Sequence, residues 1–314
     1  MRDTPSSVLA PAGCRVVFGG QTAGVDIMDG RPVLRVALPV LSGKADEYML
    51  GEAAEPLSGE HFTLFREGPL LAGFAVAGAD ADLEAAAGDL YRRLFAVTAG
   101  LHLYRVWNYV PHINAHEHGL ENYQRFCRGR SLAFENHFGR AFRRHLPAAS
   151  AVGAADGQLV VGFLAGNIEP HHFENPRQVP AFEYPSEYGP RPPSFSRATC
   201  VQLKRGRKIF ISGTAAIRGH ATVAVDDLDR QLACAVENLR LIGEAAGAGA
   251  DLGGPAGWRR SFKIYIRHPS DLGRIKTSLE RDVLRPADTV SFLQADICRA
   301  DLLLEIEAVL TEAP

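Results

Sequence analysis

The chain has 314 residues, 46% hydrophobic and 22% charged, with a formal net charge of −2, the composition of a globular protein of one large domain or two ordinary ones. No lysine or arginine run marks a nucleic-acid face, and no apolar run approaches membrane-spanning length. The five cysteines (Cys14, Cys127, Cys200, Cys234, Cys298) are scattered, odd in number and never spaced CxxC, which argues against a disulfide framework and a zinc site; with no signal-peptide pattern after Met1, a reducing cytoplasm is the expected location.

In chain order, residues 15–18 and 33–40 read as strands. Residues 61–65 and 70–76 form a hairpin across Glu67, Gly68 and Pro69. A helix is expected over 80–98, with Leu83, Ala87, Leu90, Leu94 and Val97 on one stripe and Gly100 just past its end. A strand over 101–110 stops at Pro111, a long helical pattern covers 119–144, and short strands follow near 149–152 and 159–164. The second half repeats that order. Residues 199–203 and 208–212 pair across Arg205 and Gly206. Asp226 and Asp227 open a helix carrying Leu228, Leu232, Val236, Leu239 and Ile242. A strand over 261–267, a helix to about 284 and two strands within 293–309 complete it. Each half reads ββαβαββ, and Tyr109, Val110, Pro111 and His112 echo Tyr265, Ile266, Arg267 and His268. The expectation is an α+β protein made of two diverged copies of one unit, with mixed sheets and helices on one face, divided as 1–166 and 167–314.

Between the halves, 166–197 is rich in Pro, Phe, Tyr, His and Arg. Water-exposed linkers have no use for Phe182, Tyr184, Tyr188 and Phe195 together, so an ordered loop lining a ligand site is expected, its prolines stiffening the arginines it carries. Among the arginines, Arg130 lies beside Gly129, Arg191 and Arg197 lie in or next to the proline loop, and Arg299 lies in the polar turn before the last strand. Each offers a planar fork suited to carboxylate or phosphate.

The last strand alternates. Leu302, Leu304, Ile306 and Ala308 face one way; Leu303, Glu305, Glu307 and Val309 face the other. A carboxyl flanked by apolar groups and a second acid tends to hold its proton, which makes Glu305 a candidate general acid; taken alone, the same pattern also fits a solvated strand face. His112, His116, His118, His171 and His172 include no HExxH, so no metal is expected. Cys298 has no adjacent activating group in the sequence. Residues 212–219 match neither GxGxxG nor the P-loop, so a nucleotide cofactor is not indicated.

Ser212 to Ile217, the helix after it, Lys263 to Ile266 and Leu304 to Val309 resemble the Rid (YjgF) superfamily, whose fold is chorismate-mutase-like. More narrowly, the stretches 105–114, 121–130, 187–197, 210–215 and 296–299, with Glu305, resemble the chorismatases, which cleave chorismate to pyruvate plus a cyclohexadiene diol acid or a hydroxybenzoate. That resemblance implies a small-molecule substrate, no cofactor, Glu305 as proton donor, and a substrate site including Tyr123, Arg130, Tyr188, Arg191, Arg197, Gly213, Thr214, Ala216 and Arg299. A cysteine at position 298 belongs to the hydroxybenzoate-forming branch, which points to 3-hydroxybenzoate, with 4-hydroxybenzoate as a possible companion. The arginine that Rid imine deaminases carry in a Pro-x-Arg segment is replaced here by Asp288, which argues against imine hydrolysis. The first half has no acid matching Glu305, so only the second copy is expected to be catalytic, the first supplying a wall as a neighbouring subunit does in Rid trimers. A monomer is therefore compatible with a complete site.

Overall fold

The computed structural model describes residues 13–51, 53–78, 82–254 and 257–313. The residues read for a leader and the expected helix start at 80 lie outside them.

The chain opens with β1 (Arg15–Phe18), β2 (Gly24–Met28), β3 (Arg31–Val36), β4 (Val40–Gly43), β5 (Asp46–Tyr48) and β6 (Glu55–Leu57). The single strand expected over 33–40 is divided at Pro39, which has a fixed φ and no N–H to donate. β1, β2, β3 and β5 make a small sheet, whereas β4 leaves it to pair at the edge of a larger one.

The first unit begins with the hairpin β7 (Thr63–Glu67) and β8 (Leu70–Ala77), turned at Gly68 with φ of 55°. Helix α1 (Leu83–Val97) starts where the Asp82 side chain accepts from the Ala85 N–H at 2.9 Å, satisfying a donor that has no partner inside the helix. After β9 (His102–Pro111), α2 (Asn122–Phe138) opens on a capping box between Glu121 and Gln124. It ends earlier than the expected 144, because Gly139 takes φ of 62° and residues 139–145 tighten into 3₁₀ turns. β10 (Ala148–Ala154) and β11 (Leu159–Gly166) close the unit.

The second unit contains β12 (His171–Phe173), β13 (Ala198–Leu203), β14 (Gly206–Thr214), α3 (Leu228–Ala245), β15 (Trp258–Ile266), α4 (Leu272–Asp282), β16 (Thr289–Gln294) and β17 (Leu304–Glu312). The two strands expected within 293–309 are farther apart than the pattern suggests: residues 295–303 are irregular, apart from an isolated bridge between Asp296 and Gly153.

Strand order reveals the repeat. The first sheet runs β10-β9-β11-β8-β7-β6 and the second β12-β13-β14-β17-β15-β16-β4. Counted within each ββαβαββ unit, both place the fifth strand between the second and third, with the third and fourth parallel. The protein is α+β with mixed sheets. Helices α1 and α2 cover one face of the first sheet, and α3 and α4 cover one face of the second. The opposite faces meet in a shared core containing Phe65, Tyr104, Val152, Val201, Phe210 and Leu293.

Candidate active site

Where the two sheets meet, β10 is an edge strand, and its backbone is satisfied by the other unit. Ala148 N–H donates to the Thr199 hydroxyl at 2.7 Å and Ala149 N–H to the Ser212 hydroxyl at 2.8 Å. Beside this seam lies a cavity of about 320 Å³. Its walls come from α2, β10, the 184–197 strap, β14, the 298–301 turn and β17.

Among the acids that line the cavity (Glu121, Glu187, Asp301 and Glu305), Glu305 is the buried one. It faces away from the α3/α4 side of β17, opposite Tyr265 in register, and is almost fully buried. Its Oε1 is buried without a hydrogen-bond partner. Burial, and then the neighbouring Glu307 charge, push its carboxyl up to about 8, against the pull of Arg105 and Arg197. At neutral pH it carries its proton. The carboxyl lies over Gly213, where a β-carbon would stand 1.9 Å from Oε1. Gly213 sits where the β14–β17 register shifts between Ile211 and Thr214, so the irregularity and the missing side chain together make room for the acid.

Two residues along the same face, Glu307 is a different kind of carboxylate. Oε2 accepts from Arg105 at 2.6 Å and Tyr265 at 3.2 Å; Oε1 accepts from Trp107 at 3.0 Å and lies 2.8 Å from Lys263 Nζ. Burial opposes its ionisation, but Lys263 and Arg105 outweigh it and hold the group well below the ordinary carboxylate range. Lys263 also pairs with Glu47.

Three arginines bring unused donors to the cavity. Arg130 is 2% exposed and has no acidic partner among the described residues; Nε and Nη2 bond nothing. Its guanidinium rests 5.1 Å from the Tyr91 ring centroid, with Phe126 and Phe134 close by. Arg197 donates to the Tyr184 hydroxyl at 2.7 Å; its Nε lies 3.9 Å from Glu174 Oε2, an ion pair too long for a hydrogen bond, and so makes no hydrogen bond. Arg299 lies 4.0 Å from the Tyr188 ring centroid, donates to Thr222 and leaves Nη2 unused. Buried cations with unsatisfied donors are costly in the absence of an anion, so the cavity is arranged to receive one.

Cys298 also lines the cavity. Burial, and then the Glu305 charge, push its thiol up to about 12. It is a neutral thiol at neutral pH.

Of the residues singled out from sequence, Glu305, Cys298, Tyr123, Arg130, Tyr188, Arg197, Gly213 and Arg299 line this cavity. Three do not. Arg191 is half-exposed and pairs with Glu135 at 2.6 Å. Thr214 turns its hydroxyl to the Ser212 carbonyl at 2.8 Å. Ala216 packs into the inter-sheet core, while Ala215 reaches the cavity in its place. The strap contributes Tyr184, Tyr188, Phe195 and Arg197, so the proline-rich stretch is a wall and not a tether. Ser150 of β10 and Glu121 and Gln124 at the start of α2 were not anticipated as lining residues; the capping-box spacing of the last two was visible in the sequence. Asp288 lies elsewhere, paired with the buried Arg260 at 2.5 Å.

Fold and cavity define a two-unit α+β protein that sets a protonated carboxyl among arginines with unused donors at the seam between its sheets. A family model described as "Chorismatase FkbO/Hyg5-like, N-terminal" matches residues 48–165. A solved chorismatase superposes with a TM-score of 0.83 at 30% identity, covering 98% of this chain and 96% of that one. A 3-hydroxybenzoate synthase of Streptomyces hygroscopicus is 38% identical over 216 residues, 66% of this chain and 63% of the relative. A chorismatase of the same organism is 37% identical over 233 residues, 71% of this chain and 67% of the relative. The chain belongs to the chorismatase family. The matched stretches span about two thirds of the length of these curated relatives.

Proposed function

We propose that the protein cleaves the enolpyruvyl ether of chorismate, releasing pyruvate and 3-hydroxybenzoate. The observation that carries the reading is Glu305: a buried carboxyl, protonated at neutral pH, with a partnerless Oε1, in a cavity where Arg130, Arg197 and Arg299 hold unused donors. Chorismate carries two carboxylates, one on the ring and one on the enolpyruvyl group. The arginines suit those charges, and their aromatic neighbours suit the ring.

In this reading Glu305 gives its proton to the enol ether methylene carbon. The resulting oxocarbenium ion is attacked at the ether carbon by the substrate's own hydroxyl, giving a cyclic ketal; Glu305 takes back a ring proton as that oxygen's bond to the ring breaks, and the hemiketal left on the other oxygen collapses to pyruvate and the phenol, which keeps the hydroxyl's proton. Hydroxybenzoate plus pyruvate is an isomer of chorismate, so no net water is consumed. Attack by water instead gives the diol acid and consumes one. A cavity walled by the neutral Cys298 thiol and Phe195 favours the first course, in agreement with the name of one relative. Arg260 pairs with Asp288, and neither lines the cavity, so this position supplies no imine-deaminase arginine.

We also propose the division into domains at 166/167, catalysis by the second with the first as wall, and action without a metal, cofactor or macromolecular partner, as a cytoplasmic protein for which a monomer suffices. Among the described residues no helix is long and apolar enough to cross a membrane. The test is incubation with chorismate followed by assay of pyruvate and ring products. Equimolar pyruvate and 3-hydroxybenzoate are expected, and a Cys298→Ala variant should shift product toward the diol. Absence of pyruvate refutes the activity, leaving a non-catalytic binding protein. Pyruvate with only the diol refutes the role given to Cys298.

A further inference from the structure

The acid in the cavity is one of a pair, and its partner has no place in the proton transfer just described. Glu305 and Glu307 stand on one face of β17, about 7 Å apart along the strand. Their surroundings differ completely. Glu307 has donors on both oxygens, contributed by β9 of the first unit (Arg105, Trp107) and β15 of the second (Lys263, Tyr265). It is out of reach of the cavity, which Glu305 lines and Glu307 does not. Glu305 has an oxygen with no donor at all.

We propose that Glu307 is a positioning residue for the reaction: a fixed buried anion whose charge keeps the proton on Glu305 until substrate takes it. This rests on the chorismate-cleaving reading and deepens it. The charges around Glu305 come from several elements. Arg105 on β9 and Arg197 on the strap favour its ionisation, and Glu307 opposes it. Arg299 and the neutral Cys298 approach from the preceding turn, and Arg130 from α2. Burial is the largest influence holding the proton, the arginine charges work against it, and Glu307 adds to it. Glu121, Glu187, Asp301 and His116 also line the cavity but at more exposed positions; Glu307 is the fully buried carboxylate set against the arginines, and its four donors prevent it from rotating into the cavity or taking up the proton itself. Pinning it from both sheets also ties the acid's state to the correct seating of one unit on the other.

The test is the pH profile of chorismate turnover for Glu307→Gln. The alkaline limb, set by Glu305 at about 8, should move down by about one pH unit. The loss of kcat/KM, which reports the ligand-free protein, then grows with pH, becoming about tenfold larger at pH 9 than at pH 5.5. KM should change far less than kcat, because Glu307 does not line the cavity. Glu307→Gln leaves Lys263 short of a partner, so a second variant, Glu307→Leu with Lys263→Met, removes one charge of each sign. Lys263, 2.8 Å from Glu307, acts on Glu305 with the opposite sign, so a smaller displacement in the same direction is expected. A limb at the wild-type position in either folded variant, or a loss uniform across pH, overturns the proposal while chorismate cleavage stands. Failure of the wild-type protein to release pyruvate overturns both.

Discussion

Replacing Glu305 with Gln should make the protein inactive and more stable at once. The native carboxyl titrates at about 8, against an ordinary 4.5 in the unfolded chain. Its contribution to stability is therefore fully present below pH 4.5 and is lost as pH rises toward 8. At pH 7 the native state still holds a proton that the unfolded chain has released, which costs about 3 kcal/mol at ~1.36 kcal/mol per pH unit. Gln has the same shape and no proton to hold. Glu305→Gln should then exceed the wild type in unfolding free energy by about 3 kcal/mol at pH 7, with the gap closing toward pH 4.5. Glu174, which burial also raises, to about 7, is present in both proteins and cancels. Urea unfolding of the two proteins at pH 5, 6, 7 and 8 measures the gap, and chorismate assays measure the loss. A gap that ignores pH, or a variant less stable than wild type at pH 7, refutes the protonated-acid argument however the activity responds.

Gly213→Ala should lower kcat by about a hundredfold, the cost typical of displacing a catalytic group by an ångström, because the new methyl group would stand 1.9 Å from Glu305 Oε1; unchanged kinetics would show that the carboxyl does not work from this position. Arg130→Met should raise KM for chorismate by roughly 10- to 100-fold, the worth of a charge-assisted hydrogen bond, while leaving the melting temperature of the ligand-free protein unchanged or higher, since it removes a buried cation that has no acidic partner. A lower melting temperature with normal KM would make Arg130 structural. His172 is held at about 4 by burial and by His145, His102 and His171. Its contribution is present above pH 6.5 and lost as pH falls toward 4, amounting to about 3 kcal/mol; His172→Gln should flatten that acid limb in an unfolding series over pH 4–7.

The repeated unit was legible because its elements follow simple periods: the Leu83, Ala87, Leu90, Leu94 stripe and the alternation of β17 are local patterns, and local patterns survive folding. Two boundaries were missed where one residue overrides its neighbours. Pro39 divides a continuous apolar run, and Gly139 ends a helix whose polar face continues past it. Glu305 could be singled out by alternation, yet its environment could not be read. The groups that fix Glu307, Arg105 and Trp107, are 202 and 200 residues away in sequence, and only the docking of one sheet on the other brings them together. The same limit applied to the arginines. Arg130 and Arg191 look alike in sequence, but Arg191 lands beside Glu135 and Arg130 beside three aromatic rings. Ala215 and Ala216 lie just past the end of β14, where strand alternation no longer says which of the two reaches the cavity.

β4 has a consequence for how this protein can be taken apart. Val40–Gly43 is the outermost strand of the second sheet, although it precedes the whole first unit in the chain, and a few residues further on Glu47 reaches Lys263. A fragment beginning after residue 166 would therefore lack its own selvedge. β16 would present a bare row of N–H and C=O groups, the template on which strands of separate molecules join, and Lys263 would lose one of its two counter-ions. The gene's two halves are thus sewn together by an early stitch, so that cutting at the obvious midpoint would release a half that is sticky rather than one that is merely inactive.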